Sequence, residues 1–292
     1  TAMDMAVFAH EIGDMRACTG KPTELGGIPH ELGTTGYGVA IATDLTVKIL
    51  NKLNLLNIEP KETRVAIQGF GNVGSFTAKF LDEMGYKVVA INDASACICD
   101  PNGLDIPKIM EELKLLRTKT KAPMLNDLNI MLKEPRDKIF EKEVDIFIPA
   151  ATSYTINEQN VYKLISSKVK IVVEAANIPT TKGAEKILQQ NGVWVIPDFL
   201  VNAGGVIGSY VEYIGGTEMQ AFELIKYKIT TNVKRVLIES VNSNSPPRIV
   251  AEEVAKRRVK KAMLLREGAI DVATEAYARE DLEEYMWRVE GL

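Results

Sequence analysis

The sequence contains little cysteine and histidine. Its 292 residues include three cysteines and two histidines, and His10 and His30 lie far along the chain from Cys97 and Cys99. A zinc site would need more ligands than this, and two isolated histidines without a Gly-x-Ser-x-Gly motif offer no parts of a hydrolase triad. An odd number of cysteines fits a reducing compartment. We therefore expect small buried thiols and no metal.

Charge of one sign and long apolar stretches are also missing. Lys plus Arg total 35 against 39 Asp plus Glu, a net charge of −4, so no cationic surface is available for a phosphate backbone or an anionic membrane. The apolar stretches are far shorter than the ~20 residues that a membrane span requires, and the first residues do not resemble a signal peptide. We expect a cytoplasmic protein with neither a nucleic-acid partner nor a membrane.

Strand-like and helical segments alternate over most of the chain. One apolar face, with residues three and four positions apart, predicts a helix over 36–57. Apolar strand-like segments occur at 65–67, 88–91, 144–148, 170–173 and 193–196. This alternation predicts an α/β fold with a doubly wound parallel sheet. After Asn202 the pattern becomes helical, with its clearest loop at 242–247, and residues 202–292 are predicted to form a C-terminal helical segment.

A glycine-rich turn connects the first predicted strand to a helix. The motif is Gly69-Phe70-Gly71-Asn72-Val73-Gly74, and in this context it is typical of dinucleotide binding. Gly69 would permit the tight turn, Gly71 would let the backbone approach the pyrophosphate, and Gly74 would let the helix pack closely on the strand. The phosphates would meet the free N–H groups at the helix N-terminus. Residues 1–201 are therefore predicted to form a Rossmann-like dinucleotide-binding domain.

An acidic residue, Asp93, ends the second predicted strand. It follows the glycine motif by about 20 residues, where an acidic side chain can accept hydrogen bonds from the adenosine ribose. Its charge would repel a 2′-phosphate, which favours NAD over NADP. The alternative is an aspartate that caps a helix beginning at Ala94.

Small or amide residues follow three further predicted strands. They are Ala150 and Ala151 after the third strand, Asn177 after the fourth and Asn202 after the fifth. Ligands of open parallel sheets bind outside the carboxyl ends of the strands. Small residues there leave room for a flat ring, and asparagine side chains can bond a carboxamide or a ribose. Each segment alone is equally typical of a turn.

The order of these motifs resembles that in the glutamate, leucine, phenylalanine and valine dehydrogenases. The shared segments, which span nearly the whole chain, are Thr19-Gly20-Lys21-Pro22, Gly26-Gly27, Thr35-Gly36-Tyr37-Gly38, Gln68-Gly69-Phe70-Gly71-Asn72-Val73-Gly74, Ala176-Asn177-Ile178-Pro179-Thr180 and Asn202-Ala203-Gly204-Gly205-Val206. The segment from Ser209 to Tyr213 is more similar to the glutamate enzymes than to those for branched or aromatic amino acids.

The resemblance implies roles for individual residues. Thr35 and Asn202 would lie near the nicotinamide, and Asn72 would lie in the phosphate turn. Ser209 would bond the side-chain carboxylate of the substrate beside Val206. The alternative for Ser209 is a hydroxyl that bonds the carbonyl one turn earlier in its helix.

The resemblance also implies a reaction, namely NAD-dependent oxidative deamination of L-glutamate to 2-oxoglutarate and ammonia, with NADP possible. The catalytic lysine and aspartate of the family are expected upstream of Thr1, and Lys21 belongs to a different, structural motif, so no catalytic residue is assigned within the chain. The family implies a homo-oligomer, commonly a hexamer, whose last helices pack back toward a substrate domain. The alternatives are a leucine, valine or phenylalanine dehydrogenase, or an NAD-binding module without catalysis.

Overall fold

The computed structural model describes residues 1–120, 122–130 and 132–266. The helices are α1 (Ala2–Ile12), α2 (Thr34–Lys52), α3 (Asn72–Glu83), α4 (Ile106–Arg117), α5 (Val161–Ser166), α6 (Lys182–Gln190), α7 (Asp198–Val201), α8 (Gly204–Tyr213), α9 (Glu218–Ser243) and α10 (Pro247–Arg266). The strands are β1 (Arg64–Gln68), β2 (Lys87–Asn92), β3 (Cys97–Cys99), β4 (Lys133–Glu134), β5 (Ile146–Pro149), β6 (Ile171–Val173) and β7 (Trp194–Ile196). The rest of the predicted C-terminal segment, 267–292, lies outside the described residues.

The seven strands form one sheet in the order β4-β3-β2-β1-β5-β6-β7. The five strands from β2 to β7 in this order pair in parallel, which confirms the α/β fold, but β3 and β4 pair antiparallel. The sheet is therefore mixed and not wholly parallel. The reason is the connection from β2 to β3, which consists of residues 93–96 and is far shorter than the dozen or so residues that a parallel crossover requires.

Apolar side chains on the two faces of the sheet enter two separate cores, because successive residues of a strand point to opposite faces. Val65 and Ile67 of β1 pack into a cluster with α2, α3 and α9. Ala66 packs into a second cluster with α5 and α6. Helices thus cover both faces, as a doubly wound sheet requires.

Two helix ends differ from the prediction, and an asparagine is involved in each. Helix α2, predicted over 36–57, ends at Lys52, because Asn54 adopts a left-handed conformation with φ 56°. The loop predicted at 242–247 is shorter, because α9 continues to Ser243 and Asn244 forms a left-handed cap with φ 49°. Asparagine tolerates this conformation better than most residues.

The helices that follow β6 and β7 agree with the apolar pattern. Thr181 caps α6 by accepting a hydrogen bond from the N–H of Ala184. Along α9 the buried residues are Ala221, Ile225, Ile229, Val233, Val236, Leu237 and Ser240. Within the described ranges, no helix is both long enough and apolar enough to cross a bilayer.

Candidate cofactor site

The glycine turn between β1 and α3 is held by close backbone packing. Gly69 has a φ of 94°, and a Cβ atom there would lie 2.7 Å from the Cα of Ala151. Its N–H donates to the backbone oxygen and to the Oδ1 of Asn92, at 3.1 and 2.8 Å. A Cβ atom on Gly74 would overlap the carbonyl oxygen of Gly69. Gly69 and Gly74 are thus required by the local packing of the turn.

The middle glycine, Gly71, is not explained by packing. Its φ of −81° and ψ of −158° describe an extended backbone, which any residue can adopt. A Cβ atom there would have no described atom within 4 Å. The space in front of the turn is therefore open, and it borders the N-terminus of α3, where unpaired N–H groups and the helix dipole favour an anion.

The remaining residues of the turn anchor it to the protein. Phe70 is buried in the core on the α2 side, and Val73 packs against that core. The amide of Asn72 donates to the carbonyl oxygen of His30 at 3.0 Å, in the short 3-10 helix His30–Leu32. Asn72 thus ties the turn to the segment that leads into α2.

Asp93 directly follows β2, and its carboxylate accepts hydrogen bonds that stabilise the loop after this strand. Its Oδ1 accepts from the N–H of Ser95 at 2.7 Å, the hydroxyl of Ser95 at 2.6 Å and the N–H of Ala96 at 3.2 Å. Its Oδ2 accepts from the N–H of Leu125 at 2.7 Å. The helix-capping alternative is wrong, because the next element is β3. Three donors thus bond Oδ1 and one bonds Oδ2, so the charge of the carboxylate and one acceptor position of Oδ2 remain for a ligand.

Thr35, Ala150 and Ala151 lie at the same edge of the sheet. Ala150 and Ala151 follow β5, and the N–H of Ala150 donates to the carbonyl of Gln68 at 2.7 Å. Thr35 lies in the first turn of α2, and a Cβ atom on Gly205 would come within 2.6 Å of its hydroxyl. The glycine at the start of α8 therefore lets α8 begin directly against α2.

Asn177 and Asn202 lie on neighbouring loops and bond each other. The Nδ2 of Asn202, after α7, donates to the Oδ1 of Asn177, after β6, at 2.8 Å. The same Nδ2 lies 3.4 Å from the carbonyl of Ala175. The two amide side chains thus form one unit, although each was identified separately in the sequence.

Val206 and Ser209 share one face of α8, because residues three apart on a helix are neighbours. Val206 is 75% exposed, and Ser209 is half-buried. The Ser209 hydroxyl forms no hydrogen bond with any described residue. Thr43 and Thr46 of α2, in contrast, bond the carbonyl one turn earlier. The structural alternative for Ser209 is therefore not observed.

A buried ion pair fixes the loop before α2 to α8. The Nζ of Lys21 donates to the Oε1 of Glu212, and the Oε2 of Glu212 accepts from the N–H groups of Gly20 and Ile28 at 2.7 and 2.9 Å. Burial opposes the ionisation of Glu212, but these donors outweigh it and hold the pKa of the carboxyl below its ordinary value. Lys21 thus has a structural role.

The sequence did not single out several polar residues near the site. Asn92, which orients Gly69, is one of them, and its only signal is an amide at the end of an apolar strand. The others form a buried cluster of Glu174, Glu185, Asp198 and Arg248. Glu174 directly follows β6, and Asp198 lies two residues after the last residue of β7. A charged residue next to a buried strand was the signal that could have identified them.

Neither a cavity nor a metal-binding group among the described residues offers a better candidate site. A cavity of about 740 Å³ lies beside Lys21 and Glu212, and its lining contains none of the predicted site residues. Within the part of the chain that the structure describes, no group of three or more His, Cys, Asp or Glu side chains is placed to hold a metal. The glycine turn and the asparagine pair are therefore the best candidate site.

The residues at this edge fit a dinucleotide. An open backbone surface at Gly71 and the N-terminus of α3 can accept a pyrophosphate, and small residues follow β5. The exposed amide of Asn177, the half-buried amide of Asn202 and the hydroxyl of Thr35 can bond ribose or carboxamide groups. The loops that carry them follow parallel strands, and this edge is where open sheets of this type bind ligands.

Comparison with known proteins agrees with this geometry. Residues 26–267 match the Glutamate/Leucine/Phenylalanine/Valine dehydrogenase family. The chain is 42% identical over 260 residues to a glutamate dehydrogenase of Aeropyrum pernix, a match that covers 85% of this chain and 58% of that protein. It is 39% identical over 263 residues to an NADP-specific glutamate dehydrogenase of Saccharolobus shibatae, covering 87% and 58%. It is 37% identical over 250 residues to an NAD-specific glutamate dehydrogenase of Staphylococcus aureus, covering 84% and 56%.

A solved structure shows the same fold. The hetero-hexameric glutamate dehydrogenase of Thermus thermophilus superimposes with a TM-score of 0.74 at 23% identity, over 90% of this chain and 60% of that one. The chain thus spans a little less than three fifths of the length of the curated relatives it matches.

Proposed function

Because the chain belongs to the Glutamate/Leucine/Phenylalanine/Valine dehydrogenase family, we propose that it forms the cofactor-binding part of an NAD(P)-dependent glutamate dehydrogenase. The observation that carries this proposal is the open space in front of Gly71. Neither its backbone conformation nor its neighbours require a glycine there, whereas a pyrophosphate that approaches the backbone does. In this function the turn from Gly69 to Gly74 holds the phosphates, with Ala150 and Ala151 beside it.

The nicotinamide end is assigned to Thr35, Asn177 and Asn202. When bound, the nicotinamide supplies the hydride chemistry, and the protein supplies position and charge. The Nδ2 of Asn202 donates to Asn177 and to the carbonyl of Ala175, which leaves both hydrogens of the Asn177 amide and the Oδ1 of Asn202 free to orient the carboxamide of the nicotinamide. The division of the chain into a dinucleotide-binding domain, 1–201, and a helical segment from 202 onward is part of this proposal.

The substrate of the complete protein is proposed to be L-glutamate, with 2-oxoglutarate and ammonia as products. The support is the free hydroxyl of Ser209 beside the exposed Val206 on α8, together with relatives that are glutamate dehydrogenases. The catalytic acid and base are proposed to lie in the part of the relatives' length that this chain does not span. Assembly into a homo-oligomer and a cytoplasmic location belong to the same proposal.

For the cofactor we propose a preference for NAD, which rests on the charge of Asp93. The relatives include both an NADP-specific and an NAD-specific enzyme, so the choice depends on residues of this chain. A 2′-phosphate ~4 Å from the carboxylate would meet a repulsion of about 4 kcal/mol per charge pair at an effective dielectric constant of ~20. The hydrogen bonds of the loop do not remove this charge, so charge is the property that selects between the two cofactors.

Calorimetric titration of the chain with NADH and NADPH tests this proposal. We expect saturable binding of NADH, with NADPH at least about tenfold weaker. Asp93→Asn removes the charge and keeps one oxygen acceptor for the loop, so it should narrow the difference between the two cofactors while NADH binding is retained. Absence of NADH binding would contradict the proposed function, and equal binding of both cofactors would contradict the role of Asp93 alone.

A further inference from the structure

A partly buried arginine of α10, Arg248, contacts three carboxylates behind the asparagine pair. The guanidinium of Arg248 donates from Nε to Glu185 at 2.8 Å, from Nη1 to Asp198 at 3.2 Å and from Nη2 to Glu174. Its side chain is 18% exposed, and that of Glu174 is 0% exposed. A planar guanidinium, with its five N–H donors in a fixed geometry, can hold several carboxylates at defined distances.

Two of the three carboxylates belong to the loops that carry the asparagines. Glu174 lies between β6 and Asn177, and Asp198 lies between β7 and Asn202. They are also joined to each other, because the N–H of Asp198 donates to the Oε2 of Glu174 at 3.1 Å. The third carboxylate, Glu185, lies on α6 and is part of neither loop.

Asp198 also holds strained backbone next to Asn177. Ile178 has a φ of 48°, which is a rare conformation for a β-branched residue. Its N–H donates to the Oδ2 of Asp198 at 2.8 Å, while the carbonyl of Asp198 accepts from the N–H of Asn202 at 2.8 Å. Asp198 thus has contacts to both asparagine loops. Strained residues persist only where the surroundings fix them, and they occur most often at functional sites.

The charges of the cluster are unbalanced. One guanidinium faces three carboxylates, and the Oε1 of Glu174 has no hydrogen-bond partner. Burial raises the pKa of Glu174 to about 7, although the charge of Arg248 opposes this. Removal of Arg248 would therefore leave buried carboxylates that repel one another on the two loops.

We propose that Arg248 is a positioning residue that sets the spacing of the Asn177 and Asn202 loops and so couples α10 to the nicotinamide end of the cofactor site. The proposal rests on the proposed function, because it needs these asparagines to contact the nicotinamide half of a dinucleotide. Arg248 contacts Glu174 and Asp198 and neither asparagine, so its effect is indirect. Among the described residues, no hydrogen bond or ion pair joins Gly71 or Asp93, at the adenosine end, to the cluster.

This separation gives a test that distinguishes positioning from general stability. ADP-ribose contains the adenosine, the phosphates and the second ribose but no nicotinamide, so it uses the glycine turn and cannot form the proposed contact between the asparagine pair and the carboxamide. The dissociation constants of NADH and ADP-ribose are measured by calorimetry for the unmodified chain and for Arg248→Met. We expect NADH to bind at least about tenfold more weakly to the variant, with ADP-ribose binding changed by less than about twofold.

Two further variants keep the test decisive. Glu185→Gln removes the negative charge from the one partner of Arg248 that lies on neither loop, and it should leave both dissociation constants unchanged. Arg248→Lys keeps the charge and most of the volume but lacks the planar fork, so it should fold where the methionine variant does not. Arg248→Lys should raise the dissociation constant of NADH by an intermediate factor of about threefold and leave that of ADP-ribose unchanged.

The outcomes separate the proposal from the function on which it rests. Equal weakening of NADH and ADP-ribose by Arg248→Lys would show a general structural role and overturn the proposal, and so would unchanged NADH binding in both arginine variants. An effect of Glu185→Gln as large as that of Arg248→Lys would also overturn it. If the unmodified chain binds ADP-ribose but gains nothing from the nicotinamide, the assignment of the asparagines fails, and if it binds neither ligand, the proposed function fails.

Discussion

The pKa values of two buried glutamates, Glu212 and Glu174, are shifted in opposite directions, and the difference lies in their hydrogen-bond donors. Glu212 receives hydrogen bonds from Lys21 and from the N–H groups of Gly20 and Ile28, so both of its oxygens are satisfied. Glu174 shares Arg248 with two other carboxylates, and its Oε1 has no partner. The pKa of Glu212 is lowered despite its burial, whereas burial raises that of Glu174 to about 7.

The comparison shows that burial alone does not determine the charge of a carboxyl group. Both side chains are nearly inaccessible, at 1% for Glu212 and 0% for Glu174. Hydrogen bonds to the charged form favour it, and desolvation without enough donors disfavours it. The Glu212 region is therefore a fixed clamp between the loop before α2 and helix α8. The Glu174 region, in contrast, can gain or lose a proton near neutral pH directly behind the asparagine pair.

Removal of the Glu212 carboxylate, both of whose oxygens accept hydrogen bonds, should have the largest effect on stability. Glu212→Ala leaves the Lys21 ammonium buried without its counter-ion and three backbone N–H groups without this acceptor. We expect the free energy of unfolding, measured with urea, to fall by about 3–5 kcal/mol. Glu223→Ala, at an exposed residue of α9 that forms no ion pair with a described residue, should change it by less than about 0.5 kcal/mol. A loss below about 1 kcal/mol for Glu212→Ala would show that the clamp is not a buried charge pair.

The pH dependence of stability should have opposite signs in the two regions. The pKa of Glu174 is raised from 4.5 to about 7 in the folded protein, so the folded state binds more protons in this window. Its contribution is complete below pH ~4.5 and is lost as the pH rises through ~7, by at most about 3 kcal/mol. The pKa of Glu212 is lowered, so the ionised Glu212 stabilises the folded protein at pH values above the ordinary pKa of a glutamate. This stabilisation is lost as the pH falls.

Urea unfolding of the unmodified chain and of Glu174→Gln between pH 5 and pH 8 measures this effect. The variant should lose less stability than the unmodified chain as the pH rises, because its amide cannot ionise. Glu212→Gln serves as the matched control, with an altered pH dependence only below about pH 5. Parallel curves for the unmodified chain and Glu174→Gln would mean that Glu174 does not titrate in this window.

Removal of the cation of the clamp should have a smaller effect than removal of its carboxylate. In Lys21→Met the carboxylate of Glu212 keeps the backbone N–H groups of Gly20, Lys21 and Ile28, and the methionine fills most of the volume. We expect a loss of about 1.5 kcal/mol in the free energy of unfolding. A loss as large as that of Glu212→Ala would show that the backbone donors contribute little.

The sequence predicted the features that depend on neighbouring residues. The five parallel strands, the glycine turn and the buried face of α9 follow from apolar periodicity and from residues a few positions apart. The strands β3 and β4 were missed because neither contains an aliphatic stretch like those of the predicted strands: β3 has one isoleucine between two cysteines, and β4 consists of a lysine and a glutamate. The ends of α2 at Lys52 and of α9 at Ser243 each depend on the left-handed conformation of one asparagine, Asn54 and Asn244 respectively.

The polar contacts around the site could not be predicted, because their partners are distant in sequence. Lys21 and Glu212 are 191 residues apart, and Glu174 and Arg248 are 74 apart. Asp93 was assigned to the ribose, yet it also holds the N–H of Leu125, 32 residues away. Only the folded chain shows that the N–H of Leu125 donates to a carboxylate oxygen of Asp93, which the sequence alone would leave available to a ligand.

Binding of NADH to Gly71→Val tests the central claim most directly. A valine fits the extended backbone and the open space at this position, so the thermal unfolding temperature should change little. Its side chain would fill the space that a pyrophosphate needs, and we expect the dissociation constant for NADH to rise by at least about tenfold. If the variant is folded and binds NADH as tightly as the unmodified chain does, the turn from Gly69 to Gly74 does not hold a dinucleotide.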